Sequence, residues 1–123
     1  MARILVVDDN PLNVTLARLQ LARAGHDVGT EPSGQAALAR LDAERPDLVL
    51  TDIEMPGMSG IDLLDAIRSR ARLRAMPVVA HTAFAEPAQH AALKRAGLDA
   101  IVVKPATRDS LCAVVDRALA KGA

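Results

Sequence analysis

Five strand-length apolar runs alternate with five segments of helical period along this chain of 123 residues. That alternation limits the fold more than any other feature. It predicts strands near 3–7, 27–31, 47–51, 77–81 and 99–103, and helices near 11–24, 34–43, 60–70, 87–96 and 108–121. Strands separated by helices build βαβ units, hence a parallel sheet with helices on both faces, an α/β fold. The first and third strands are almost unbroken hydrophobics, as central strands covered on both faces must be. Asp27-Val28-Gly29-Thr30-Glu31 is mixed and reads as an edge strand. Five such units use the whole chain, so one domain over 1–123 is expected, with no linker and no effector domain.

The residues between these segments fit the same division. Asn10-Pro11 supplies an N-cap followed by proline at the first helical position. Ser33, Ser59 and Thr107 can cap the second, third and fifth helices, and Pro87 opens the fourth. Arg23-Ala24-Gly25-His26-Asp27 and Arg95-Ala96-Gly97-Leu98-Asp99 are one junction used twice, a helix closed by glycine before a new strand. The first helix carries two apolar stripes, Leu12, Leu16, Leu19 and Val14, Ala17, Leu21. One must face the sheet, and the other is covered by neighbours or left as a contact surface.

Acidic residues follow two of the strands. Asp8 and Asp9 come after Ile4-Leu5-Val6-Val7, Asp52 comes after Leu48-Val49-Leu50-Thr51, and Lys104-Pro105 ends the run from Ala100 to Val103. Open parallel sheets bind ligands at the carboxyl ends of their strands. Neighbouring strands would therefore gather three carboxylates and one ammonium in one crevice. Crowded carboxylates repel and call for a hard cation, and oxygen ligands beside an ammonium point to Mg²⁺ and a phosphoryl group. An acid that only favours a helix N-terminus, worth about 0.3–1 kcal/mol, does not explain two adjacent acids and a third beyond a distant strand.

Asp8-Asp9, Asp52 followed by Met55-Pro56-Gly57, Thr82-Ala83 and Lys104-Pro105, with Ser59-Gly60 in support, stand in the order and at the spacing of one known family. Over its whole length the chain resembles the receiver domain of two-component response regulators. The resemblance implies a (βα)5 flavodoxin-like three-layer sandwich with strand order 2-1-3-4-5. It also implies a phosphoacceptor switch in a phosphorelay rather than an enzyme with a separate substrate. Asp52 is similar to the family's phosphoacceptor, a carboxylate nucleophile forming a mixed anhydride. Asp8 and Asp9 would hold one Mg²⁺, Asp9 directly and Asp8 through water, joined by Asp52 and the Glu54 backbone carbonyl. Lys104 would pair with phosphoryl oxygens as a point charge, Thr82 would donate its hydroxyl, and Ala83 would leave the attacking group room. Pro105 is implied to follow a cis peptide. Glu54 and Phe84 flank the pocket and tune hydrolysis, and the loop 54–58 is expected to be mobile and to gate access. The family often carries an aromatic near the start of the last strand, where this chain has Ile101. Phe84 is its only aromatic, so output is expected through the loop after Thr82 and the fourth helix.

The implied phosphoryl donor is a histidine kinase or a histidine phosphotransfer protein, docking on Val14, Ala17, Arg18 and Leu21 of the first helix. The implied output is a downstream protein bound by the face from residue 82 to 106 and the last helix, with a monomer or a phosphorylation-dependent dimer as the assembly. The Asn10-Pro11-Leu12-Asn13 opening resembles hybrid-kinase receivers, while the limits of the chain fit a stand-alone regulator.

Composition excludes little but agrees. Lys plus Arg and Asp plus Glu are 15 each, so no basic surplus points to nucleic acid. The single Cys112 forms no internal disulfide and reads as a small buried thiol, which fits a reducing cytoplasm. No signal peptide or bilayer-length apolar run is present. His26, His81 and His90 lack metal-site spacing, with His81 expected to pack at the end of its strand. The Arg68 to Arg74 cluster reads as a solvated helix end. Two alternatives stand beside the receiver reading. A haloacid-dehalogenase-like phosphatase would place a second acid where Glu54 follows Asp52, but has no acidic pair at its first strand. A phosphorylation-independent receiver-like binding module would keep the fold and not the chemistry.

Overall fold

The computed structural model describes residues 1–122. Its elements are β1 (Arg3–Val7), α1 (Pro11–Arg23), β2 (Asp27–Glu31), α2 (Gly34–Ala43), β3 (Leu48–Thr51), α3 (Gly60–Ser69), a 3₁₀ turn (Ala71–Leu73), β4 (Val78–Thr82), α4 (Pro87–Arg95), β5 (Ala100–Val103) and α5 (Arg108–Gly122). The strands form one parallel sheet in the order β2-β1-β3-β4-β5. The expected fold and strand order hold, and the mixed strand β2 lies at an edge.

Successive side chains of a strand point to opposite faces, so each central strand feeds two cores. Ile4 and Val6 of β1 join Leu48 and Leu50 of β3 against Ala17 and Leu21 of α1 and Leu111 and Val115 of α5. Leu5 and Val7 join Val49 against Ala37 and Leu41 of α2, Leu63, Leu64 and Ile67 of α3 and Leu93 of α4. Burying β1 and β3 on both faces makes their ends rigid, which the site requires.

The helix termini follow the local chemistry. The Asn10 side chain accepts from the N–H groups of Leu12 and Asn13, and Ser33 accepts from that of Ala36. Ser59 and Asp62 form a reciprocal capping box, and Thr107 Oγ1 accepts from Ser110 N–H. Gly25 and Gly97 have φ of 94° and 114°, the left-handed conformation that glycine adopts without a Cβ clash.

Three expectations are corrected. In α1, the Val14, Ala17 and Leu21 stripe faces the sheet: Ala17 and Leu21 are buried and Val14 packs on them. Of the four docking residues, only Arg18 is exposed. The surface stripe is Leu12, Leu16 and Leu19, exposed by 76%, 47% and 45%. Both stripes are apolar, so the helical period does not say which one meets the sheet.

Nor is the arginine cluster solvated throughout: Arg72 and Arg74 are exposed, but Arg68 and Arg70 are partly buried. Arg68 donates to the carbonyls of Met76 and Arg74 and pairs with Asp99 at 2.9 Å, and Arg70 pairs with Asp42 at 3.1 Å. Arg68 fastens the segment between the 3₁₀ turn and β4, and Arg70 ties the end of α3 to Asp42 of α2 while donating to the Ala66 carbonyl, because a guanidinium's fork of donors serves several acceptors at once. Finally, the loop 54–58 is anchored. Met55 is buried in the core and Met58 packs against it, while Gly57 takes a φ of 76°.

Candidate functional site

Between β1 and β3 the chain reverses its direction of travel across the sheet, and such a switch point opens a crevice at the carboxyl ends. Val7 pairs with Thr51 across it, so Asp8 and Asp52 are the next residues on adjacent strands. Among the described residues, Asp8, Asp9 and Asp52 form one group whose carboxylate oxygens lie within 4.8 Å of one another. β5 delivers Lys104 from the other side of β4, its N–H bonded to the Thr82 carbonyl at 2.7 Å.

Each of these groups is held differently. Asp8 is 3% exposed; its Oδ1 accepts from Asn10 N–H at 2.9 Å and its Oδ2 from Lys104 Nζ at 2.8 Å. Asp52 is half-buried, its Oδ1 accepting from Ile53 N–H at 2.8 Å and its Oδ2 facing Lys104 Nζ at 3.4 Å. Asp9 is exposed. Burial pushes the Asp52 carboxyl above the ordinary carboxylate range. Lys104 opposes this, the charge of Asp8 adds to it, and the hydrogen bond from Ile53 opposes it. One ammonium thus serves a buried and a half-buried carboxylate, and a third carboxylate stands beside them.

An open cleft of about 430 Å³ exposes the group, lined by Asp9, Asn10, Pro11, Asn13, Asp52, Glu54, Thr82, Ala83, Phe84 and Lys104. Thr82, Ala83, Phe84 and Glu54 therefore stand where the sequence placed them, around one carboxylate. Thr82 is buried, and its hydroxyl accepts from Phe84 N–H at 3.1 Å. The Lys104–Pro105 peptide is cis. Gly60 closes the return from β3: its N–H donates to the Ile53 carbonyl at 2.8 Å, and a Cβ there would collide with the Asp52 carbonyl. Ile101 is not in the cleft; it packs against the α2–α3–α4 core and lines a groove of about 290 Å³ with His90, Lys94 and Val114. Val14, Ala17 and Leu21 lie in the opposite core.

Buried His81 has its pKa pushed down to about 4, by burial first and by Lys104 second, against the pull of Asp8. It is neutral at pH 7 and packs at the end of β4. Burial likewise raises the Cys112 thiol. The anchoring of Asp52 by Ile53 N–H had no sequence signal, because every residue type except proline supplies that donor. The contact of His90 with the Phe84 carbonyl, 2.7 Å from Nε2, also escaped: it joins a helix to a preceding loop with no motif.

The donor set suits a hard divalent cation. All candidate side-chain ligands are carboxylates, three of them meet, and Lys104 balances only one of their charges. Mg²⁺ takes one or two carboxylates and keeps waters, which the exposed Asp9 and the open cleft allow. Among the described residues, no helix is long and apolar enough to cross a membrane.

Known proteins resemble this chain in sequence and in fold. The family model of the response regulator receiver domain matches residues 4–116. The chain is 38% identical over 116 residues to the sensor protein GacS of Pseudomonas syringae pv. syringae, covering 92% of this chain but only 13% of GacS. It is 33% identical over 102 residues to the polar-differentiation response regulator DivK of Brucella anthropi, covering 83% of each. The solved structure of the chemotaxis response regulator CheY4 of Vibrio cholerae superposes with a TM-score of 0.90 at 29% identity, covering 96% of this chain and 98% of that one. With these matches and the acidic site at the switch point of its sheet, the chain belongs to the response regulator receiver domain family.

Proposed function

We propose that Asp52 is the phosphoacceptor of a signalling switch that takes its phosphoryl group from a histidine kinase or a histidine phosphotransfer protein. The observation that carries this reading is the asymmetry of the Asp52 carboxylate. Oδ1 is pinned by Ile53 N–H, whereas Oδ2 looks into the cleft beside Lys104. An oxygen lone pair of Asp52 attacks the phosphorus of a phosphohistidine. The P–N bond breaks, the imidazole leaves with its electron pair and takes up a proton, and an acyl phosphate forms.

Phosphoryl transfer relies on positioning and charge stabilisation more than on covalent help. Lys104 Nζ, already 3.4 Å from Oδ2, supplies positive charge to the phosphoryl oxygens, and Thr82 donates its hydroxyl to one of them. Ala83 leaves room on the attacking side, and Glu54 and Phe84 at the rim tune the later attack of water. That attack breaks the P–O bond, releases inorganic phosphate and restores the carboxylate. Asp8, Asp9, Asp52 and the Glu54 carbonyl would hold Mg²⁺, which when bound neutralises charge on the transferred group. The domain therefore catalyses only its own phosphorylation and dephosphorylation.

The remaining assignments follow from this reading. One receiver domain spans 1–123, works in the cytoplasm, and carries its output on α4, β5 and α5 to a downstream protein, as a monomer or a phosphorylation-dependent dimer. Intact mass after incubation with acetyl phosphate and Mg²⁺ tests the core of it. One added phosphoryl group is expected, and it should be absent with EDTA and in Asp52→Ala. An adduct that persists in Asp52→Ala overturns the assignment.

A further inference from the structure

Phe84 stands between the reacting centre and α4, held at both of its backbone polar groups. Its N–H donates to the Thr82 hydroxyl at 3.1 Å, and its carbonyl oxygen lies 2.7 Å from His90 Nε2. A carbonyl only accepts, so His90 carries its proton on Nε2. The Phe84 side chain is partly buried against the α2–α3–α4 core and lines the reacting cleft, while His90 lines the groove together with Ile101 and Lys94. Thr82 is one of the groups that meet the phosphoryl oxygens, and Ile101, where the family often has a mobile aromatic, is aliphatic.

We propose that His90 is a positioning residue that holds the loop 83–86 in its unphosphorylated arrangement through the Phe84 carbonyl, and that Thr82 releases this hold when it engages the phosphoryl group. The inference rests on the reading of Asp52 as phosphoacceptor and names how that site reaches α4. The bond from Phe84 N–H to Thr82 Oγ1 is a short-range side-chain turn. Movement of that hydroxyl toward Asp52 strains the turn and drags the Phe84 peptide, which His90 resists. The contact thus favours the unphosphorylated state, and phosphorylation alters the setting of His90 at the mouth of the groove. α4 does not depend on His90 for its start. Pro87 occupies its first turn, and Glu86 and Gln89 form a capping box, so a substitution at 90 leaves the helix nucleated.

The test compares the wild type with His90→Leu, which removes the donor, and His90→Gln, which restores one at similar reach. Beryllofluoride affinity in Mg²⁺ is measured by NMR, together with amide exchange at Phe84, Ala85 and Glu86 without beryllofluoride. Acetyl phosphate labelling is followed by mass. Loss of one hydrogen bond predicts about two- to tenfold tighter beryllofluoride binding and similarly faster exchange in His90→Leu, with His90→Gln close to wild type. Wild-type affinity and exchange in His90→Leu, in a protein that is labelled normally, overturn the inference alone. A His90→Gln variant that behaves like His90→Leu overturns it too, because packing and not the donor would then matter. A wild type that takes neither beryllofluoride nor a phosphoryl group overturns the phosphoacceptor reading and this inference with it.

Discussion

The two ends of the sheet use the same residue to opposite purpose. At the amino ends, Asp47 Oδ2 accepts from Arg3 N–H and Asp99 Oδ2 from Val78 N–H, each at 2.8 Å, and Arg68 pairs with Asp99 at 2.9 Å. His26 Nδ1 accepts from Ala2 N–H at 3.1 Å in the same region. Those acids satisfy strand N–H groups that would otherwise lack partners, and for Asp99 a guanidinium adds its charge. At the carboxyl ends, Asp8, Asp9 and Asp52 crowd within 4.8 Å around a single lysine, and burial pushes the Asp52 carboxyl up. A carboxylate whose environment is complete is part of the scaffold. One left short of positive charge suits a ligand, which the proposed function makes a cation and a phosphoryl group.

The largest effect expected from this contrast is on chemistry. Asp52→Asn should lower acetyl phosphate labelling on the order of a hundredfold or more, while Asp99→Ala stays within about twofold of wild type. Intact mass at matched times checks both. Equal losses would mean that the two ends are not functionally distinct.

Stability should invert the ranking. Asp99→Ala leaves Val78 N–H without its acceptor and Arg68 without its carboxylate, at a cost of about 1–3 kcal/mol read from urea unfolding. A cost below about 0.5 kcal/mol would show that the amino-end acid is dispensable.

Mg²⁺ sharpens the same division at a smaller scale. At ten times its dissociation constant it should stabilise the wild type by about 1.4 kcal/mol. The gain should persist in Asp99→Ala and shrink in Asp9→Asn, as thermal unfolding with and without EDTA will tell. A full gain in Asp9→Asn would remove Asp9 from the cation site.

The smallest effect is on pH dependence. In the fold the Asp52 pKa lies above its unfolded value, so between the two the folded state holds the extra proton. Without Mg²⁺, this group's contribution favours folding at low pH. It is lost as pH rises from the ordinary carboxylate range through the raised folded value, and stays lost at neutral pH. Asp52→Asn should therefore gain stability relative to wild type across that window and keep the gain at pH 7. A difference that is flat with pH would show that Lys104 and Ile53 N–H cancel the effect of burial, and one of opposite sign that they outweigh it.

Legibility in the sequence followed the range of the interactions. The strands were placed within a residue at each end, and the caps at Asn10, Ser33, Ser59 and Thr107 act as expected, because periodicity and capping are local. The gathering of Asp8, Asp9, Asp52 and Lys104 was legible too, since each follows a strand's carboxyl end, and the family resemblance added Thr82. The misreadings concern which surface a residue finds. Ala17 and Leu21, taken for docking residues, are core; of the arginines taken for solvated charges, Arg68 holds the segment leading into β4 and Arg70 ties α3 to α2; Met55, placed on a mobile loop, is buried.

From the sequence alone came the α/β class, the parallel sheet and the gathering of Asp8, Asp9, Asp52 and Lys104 at one end of it. All of these follow from the alternation of short-range periods and from charges at the strand ends. Tertiary packing alone decided which stripe of α1 is exposed, which aspartates are satisfied, and how Phe84 is tied to both Thr82 and His90. The physical reason is distance along the chain. Lys104 and Asp8 are 96 positions apart and meet at 2.8 Å. A hydrogen bond or an ion pair depends on separation in space, which a local pattern of apolar and polar residues does not encode.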